Sequence, residues 1–292
     1  MRFMNRNQYC VWFSTRCNFA CPYCCNYSEQ GGPRSFVEDH PEYLIALFQD
    51  VEPGVITVSG GEPTLWKEMP ILLEALPKHK WVILTNLSRI PVWLYHPNVV
   101  LLIAAYHPGQ IAPDKFATNF YKMRDKAVGK ILVTPGEEEK DLDYWRVWNQ
   151  TIGPVHLAPV NWPTGCDPSF LQRIKSGELL TSAMYNSRFF IKDNREWKDC
   201  IAGTRDMFQI GPRGKIGRCS QAGPVLNASI EDPWLYPSPR PCSMNCWCEW
   251  HHWAGVTKAN DNETWDHFVE TGEWRYPRPT DLTAFLEESS WL

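Results

Sequence analysis

Cys17, Cys21 and Cys24 stand in the pattern C-x3-C-x2-C, and Cys25 follows the last of them directly. Thiolates ligate metals, so the first question is which centre takes three at this spacing. Three thiolates leave a tetrahedral zinc ion one ligand short, whereas a [4Fe–4S] cluster held by three cysteines keeps one iron open for substrate or cofactor. A zinc knuckle completed by Cys25 or a distant residue is the plainer alternative. Adjacent side chains diverge, so Cys25 is expected to point away as a packed, inert thiol. The chain holds 11 cysteines, with a second group at Cys200, Cys219, Cys242, Cys246 and Cys248. The leading MRFMNRNQYCVWF has no apolar export segment or small-residue cleavage site. The thiols therefore read as metal-binding or catalytic rather than disulfide-forming.

VITVSGGEPTLW places Gly60-Gly61-Glu62-Pro63 straight after an apolar, β-rich run. Glycines let backbone approach a ligand closely, and a carboxylate accepts hydrogen bonds from an ammonium. Taken together, CNFACPYC, with aromatic Tyr23 before its last cysteine, and the Gly-Gly-Glu-Pro turn resemble the signature of the radical S-adenosylmethionine (SAM) superfamily. The resemblance implies that the methionine amino and carboxylate groups of SAM chelate the open iron. One electron then splits the sulfonium to give a 5′-deoxyadenosyl radical. It also implies that the turn Gly60, Gly61, Glu62 and Pro63 binds the methionine amino group. Asn86 and Ser88 after the third strand, and Tyr106 and His107 at the end of the fourth, fall where that family places residues near the adenosine. AAYHPG offers Ala104 and Ala105 where many relatives carry serine, so the ribose contact passes to Tyr106, Asn86 or Ser88. His107 is equally readable as a satisfied structural histidine.

The second cysteine group resembles the SPASM and twitch modules that follow many radical SAM barrels, with Gly214 at a tight turn between Cys200 and Cys219. The resemblance implies one auxiliary [4Fe–4S] cluster in a twitch-like module, held by Cys200, Cys219 and two of Cys242, Cys246 and Cys248. Zinc is the alternative centre. Four thiolate ligands would favour electron transfer over direct substrate ligation, and the wide span of iron–sulfur potentials leaves the direction of flow open. Cys166, in PTGC after the sixth strand, is a candidate hydrogen-atom donor in a redox-neutral reaction; a loop thiol without a role is the plainer reading.

Elements must position these residues. Short β-rich runs recur at Tyr9–Phe13, Val55–Ser59, Trp81–Thr85, Val99–Tyr106, Lys130–Thr134 and Val155–Val160. Helical spacing lies between them, at His40–Val51, Met69–Leu76 and Pro113–Val128, where Phe116, Phe120, Met123 and Ala127 share a face. Such alternation predicts an α/β fold with parallel strands and crossover helices, a partial (β/α)6 barrel over residues 1–160 with its chemistry at the C-terminal strand ends. Residues 161–260 are expected to form a linker helix and the twitch-like module, including a hairpin in MFQIGPRGKIGRC, and residues 261–292 a helical tail.

Hydrophobic content of 43% supports a core, and the net charge of -4 without a Lys/Arg block leaves nucleic acid unsupported. The longest apolar run, Val99–Tyr106, is too short to cross a bilayer, so a soluble cytoplasmic protein is expected. Among the 15 tryptophans, Trp247, Trp250 and Trp253 read as core or as a stacking surface. The expected activity is oxidation or epimerisation of a small molecule such as an amino sugar, nucleoside or amino-acid derivative. Only sixteen residues precede Cys17, leaving no room for an N-terminal peptide-recognition domain. A peptide-modifying maturase, and outside enzymes a zinc-binding interaction protein, are the alternatives. Flavodoxin or ferredoxin is the expected electron donor.

Overall fold

The computed structural model describes residues 7–24, 29–153, 155–159, 167–175, 197–200, 207–217 and 240–242. Chain order begins with β1 (Asn7–Trp12), β2 (Arg16–Cys17), β3 (Glu29–Gln30), α1 (Phe36–Asp39), α2 (Pro41–Gln49), β4 (Gly54–Ser59), α3 (Met69–Ala75) and β5 (Lys80–Thr85). It continues with β6 (Val99–Tyr106), α4 (Pro113–Met123), β7 (Ala127–Val133), α5 (Glu138–Thr151), β8 (Val155–Pro159) and α6 (Pro168–Lys175). Four short strands follow: β9 (Trp197–Cys200), β10 (Met207–Ile210), β11 (Ile216–Gly217) and β12 (Arg240–Cys242).

One sheet runs in the order β11-β10-β1-β4-β5-β6-β7-β8. All its neighbours pair in parallel except the β10–β11 hairpin. The six strands anticipated for the barrel are thus present and consecutive in space, with α2, α3, α4 and α5 on four of the crossovers and only a 3₁₀ turn at Val92–Tyr95 between β5 and β6. The expected hairpin forms too, but β10 pairs with β1 in register Gln8↔Met207 to Val11↔Ile210, extending the main sheet.

Strand parity sorts the core into two layers. Tyr9, Val11, Ile56, Val58, Trp81, Ile83, Leu102, Ala104, Ile131 and Val133 face the helices in the large outer core. Val55, Val82 and Leu101 fill the floor of the concave face, with Leu84, Ile103 and Val128 above them. Burial on both faces is why β5 and β6 read as unbroken apolar runs instead of alternating ones. Helix α4 starts with Pro113 at N1 and buries Phe116, Ala117, Phe120 and Met123. Each large side chain of that stripe contributes about 1.5–3 kcal/mol.

One boundary differs from expectation. Helical spacing covers Pro113–Val128, yet α4 stops at Met123 and β7 begins at Ala127. Residues 127–133 alternate buried and half-buried, and Ala127 satisfied both periods by coincidence. Gly129 lets Phe120 approach: an added Cβ would lie 3.1 Å from its ring.

Candidate active site

The cysteine loop is fastened first by backbone. The β1–β4 ladder continues past both strand ends, with Phe13 N–H donating to Ser59 O (3.1 Å), Gly61 N–H to Ser14 O (2.7 Å) and Glu62 N–H to Arg16 O (2.9 Å). The two segments run so close that a Cβ on Gly61 would fall 1.9 Å from Arg16 O. At Gly60 φ is +121°, and a Cβ there would meet Ser14 O at 2.5 Å. The glycine pair is therefore required by contact with the chain that leads into Cys17.

Side chains complete the attachment. Asn86 Nδ2 donates to Asn18 Oδ1 (2.9 Å) and Asn18 Nδ2 donates to Ser88 Oγ (2.8 Å). Ala20 N–H donates to Gln110 Oε1 (3.0 Å), tying the loop to the β6–α4 connection. β2 pairs with β3, and Gly31 N–H donates to Cys17 O (3.1 Å). Glu62 is buried, and its Oε1 accepts from Thr64 N–H (3.0 Å), Thr64 Oγ1 (2.7 Å) and Thr85 Oγ1 (2.6 Å). Its Oε2 accepts from Asn86 N–H (2.7 Å). The carboxylate thus joins the β4 turn to the end of β5, and through Asn86 to the cysteine loop.

These attachments wall one cavity at the C-terminal ends of the parallel strands. Cys17, Cys21 and Cys24 line it together with Gly60, Gly61, Glu62, Asn86 and His107. Its side is made by the inward-facing Leu84, Ile103, Ala105, Lys130 and Leu132. Lys130 was missed at the sequence level; only the alternation of β7 hints that it faces inward. Pro63 and Ser88 do not line this cavity; Pro63 opens a short 3₁₀ turn and Ser88 is engaged with Asn18. Tyr106 faces the opposite side of β6 from His107, packed on Phe116, Tyr144 and Trp148. There it lines a second cavity with Gln110, Lys140 and Tyr144.

Burial raises the Cys17 thiol, and burial with the neighbouring Cys17 and Cys24 charges pushes Cys21 up to about 12. Cys17 and Cys21, raised in this way, are poor thiolates unless a positive centre is placed beside them, and with Cys24 in the same wall they make the donor set an iron–sulfur cluster takes. Among the described residues no three His, Cys, Asp or Glu side chains close around a single-ion position. His107 Nδ1 sits 3.2 Å from Cys21 Sγ, and the Tyr23 ring stacks on the imidazole at 6.0 Å. Burial, with Lys130 nearby, lowers His107 to about 3, so the ring is neutral at ordinary pH.

Cys25, Cys166, Cys219, Cys246 and Cys248 lie outside the described residues, as does the tail from 243 onward. Cys200 and Cys242 fall on β9 and β12, which pair antiparallel with Cys200 opposite Arg240 and Cys242 opposite Trp197. Among the described residues no helix is long and apolar enough to cross a membrane.

No curated protein gives a sequence match to this chain. Among solved structures it is similar to native anSMEcpe with bound AdoMet and Cp18Cys peptide, with TM-score 0.50 and 15% identity over 88% of this chain and 81% of that one. It is also similar to BtrN in complex with AdoMet and 2-DOIA, with TM-score 0.42 and 15% identity over 77% and 78% of the two chains. For SuiB of Streptococcus suis bound to S-adenosylmethionine the TM-score is 0.45 and the identity 16%, over 76% and 60%. Residues 12–116 match the Radical SAM superfamily, a span holding the cysteine loop, the Gly-Gly-Glu-Pro turn and the cavity wall as far as His107. It is this segment, about a third of the chain, that is similar to the Radical SAM superfamily.

Proposed function

We propose that the protein reductively cleaves SAM and uses the resulting 5′-deoxyadenosyl radical to abstract hydrogen from a small molecule, giving oxidation or epimerisation. An amino sugar, nucleoside or amino-acid derivative is the substrate class we assign. The observation that carries the reading is the convergence of Cys17, Cys21, Cys24, Glu62, Asn86 and His107 on one cavity at the strand ends. Cys17, Cys21 and Cys24 would hold a [4Fe–4S] cluster, which would supply the electron that splits the sulfonium, taken from a donor of the flavodoxin or ferredoxin kind.

The chain's own residues bind and orient. Glu62 Oε1 already accepts three hydrogen bonds and Oε2 one, so Oε2 has the spare acceptor capacity for the methionine ammonium. Lys130 is the one lysine or arginine among the described residues lining the cavity and is the partner for the methionine carboxylate. Ile103, Ala105 and Leu132 give the apolar wall against which the nucleoside packs and from which water is displaced.

We further propose one auxiliary [4Fe–4S] cluster on Cys200, Cys219 and two of Cys242, Cys246 and Cys248. The β9–β12 pairing, which brings Cys200 and Cys242 onto adjacent strands, supports Cys242 as one of the two. Cys166 is retained as hydrogen-atom donor in the redox-neutral case.

Anaerobic reconstitution tests the reading. Two cubane clusters correspond to about eight irons per chain. The reduced protein should convert SAM to 5′-deoxyadenosine, and Cys17→Ser, Cys21→Ser or Cys24→Ser should abolish it; turnover surviving all three ends the proposal. Lys130→Met should weaken SAM binding about tenfold or more, as loss of a charge-assisted hydrogen bond does.

A further inference from the structure

We propose that Arg16 and Glu38 form a buried pair that positions Cys17, an inference that rests on Cys17 being a cluster ligand. Arg16 and Cys17 make up the two-residue strand β2. Successive side chains of a strand point to opposite faces, so whatever fixes Arg16 on one face aims Cys17 at the other. Cys17 lines the cavity and Arg16 does not.

Arg16 is held firmly. Its Nη2 donates to Glu38 Oε1 and to Leu65 O (3.2 Å). The Glu38 side chain is fully buried, at 0% exposure against 20% for Arg16. Its other oxygen accepts from Ser35 N–H (3.0 Å), while Ser35 Oγ accepts from Glu38 N–H (3.1 Å) and donates to Phe13 O. The carboxylate is thus locked by a capping box that is itself tied to the end of β1. The four residues of α1 are too few to hold a helix alone, so the tie to β1 and Arg16 supports the turn as much as the turn supports Arg16.

A buried ion pair is a costly way to join two elements; an apolar pair of similar volume does so at least as well. What the ionic pair adds is direction, because Arg16 Nη2 is shared between the Glu38 carboxylate and the Leu65 carbonyl, which fixes where that end of the guanidinium sits. On the other flank Asn18 is bonded to Asn86 and Ser88. Cys17 is therefore bracketed by anchored side chains on both sides. Cys21 and Cys24 are instead linked by a turn of their own, Cys24 N–H to Cys21 O (3.1 Å).

The test compares thiol reactivity in the full-length, iron-free protein with cluster spectroscopy in the reconstituted protein. Glu38→Gln, Glu38→Asp and Arg16→Lys are treated with iodoacetamide, and the alkylation rates of Cys17, Cys24 and Cys10 are read by peptide mass spectrometry. Glu38→Gln should raise the Cys17-to-Cys24 rate ratio about tenfold, because local opening of β2 is no longer opposed by the pair. Glu38→Asp should recover part of the protection. After reconstitution, the Glu38→Gln cluster should show an altered paramagnetic signal at reduced iron content. An unchanged ratio, or equal acceleration of Cys17, Cys24 and buried Cys10, would overturn the inference. Should Glu38→Gln fail to fold, Arg16→Lys gives the same comparison with the charge retained. If the wild type takes up no iron while the ratio still responds, the pair stands and the cluster reading falls.

Discussion

Glu62 shows how much one residue of the Gly-Gly-Glu-Pro turn is spent inside the protein. Four donors from Thr64, Thr85 and Asn86 converge on its carboxylate, and although burial raises its pKa, those hydrogen bonds oppose the shift. Glu62→Gln should cost the iron-free protein about 2–4 kcal/mol in urea unfolding, since an amide nitrogen must face a donor. Unchanged stability with weakened SAM binding would assign the residue to ligand alone. Asp141 gives the opposite lesson. It is buried, Thr134 N–H donates to Oδ2 (2.8 Å), and Oδ1 has no partner. Burial raises its pKa to about 6. The folded form then binds more protons than the unfolded one between about 4 and 6, so the stabilisation is full at low pH and is lost as pH rises through about 6. Asp141→Asn should therefore stabilise the protein by about 1–3 kcal/mol at pH 8 and be nearly neutral at pH 4, measured by denaturant titration at both.

Among elements, the contact between the glycine turn and the cysteine loop is the most constrained. Gly61→Ala would push Cβ into Arg16 O. It should therefore abolish iron uptake while leaving the far-UV circular dichroism nearly native; full iron content in that variant would show that the two segments are free to separate. At the opposite end of the barrel, His79 joins α2 to β4. Its Nε2–H donates to Phe48 O (2.9 Å) and Gly54 N–H donates to Nδ1 (3.3 Å), an arrangement only the neutral ring makes. Burial lowers its pKa below the ordinary 6.5. The unfolded chain then binds the extra proton first, so this contribution is complete above about 6.5 and is lost as pH falls. His79→Gln should remove that acid-limb slope from stability measured between pH 7.5 and 5.

For the whole molecule, the site depends on a segment far along the chain. Strand β10 seals the free edge of β1, the strand that delivers the cysteines. Phe208 packs against Tyr9 (4.9 Å) and Phe48 (6.0 Å), Val37 N–H donates to Pro212 O (3.3 Å), and Tyr43 OH bonds Gly214 O. Phe208→Ala should cost about 3–5 kcal/mol and expose the β1 edge, seen as earlier denaturation and loss of iron together. Iron content unaffected by that destabilisation would mean the cysteine loop is held without help from the β1 edge.

Much of this was legible locally. The cysteine spacing, the Gly-Gly-Glu-Pro turn and the apolar runs of β4 to β8 are short-range patterns, and short-range patterns survive in sequence because each is set by neighbours a few residues away. The end of α4 is not legible in the sequence because Ala127 fits the helical and the strand period alike. Tertiary structure alone decided that His107 enters the cavity while adjacent Tyr106 turns to the helices, that Lys130 joins the wall, and that β10 closes on β1. It also decided that Arg16 meets Glu38, 22 positions away. Those outcomes depend on strand register and crossover, which are fixed by burying the whole core at once and leave no signal within any single stretch of chain.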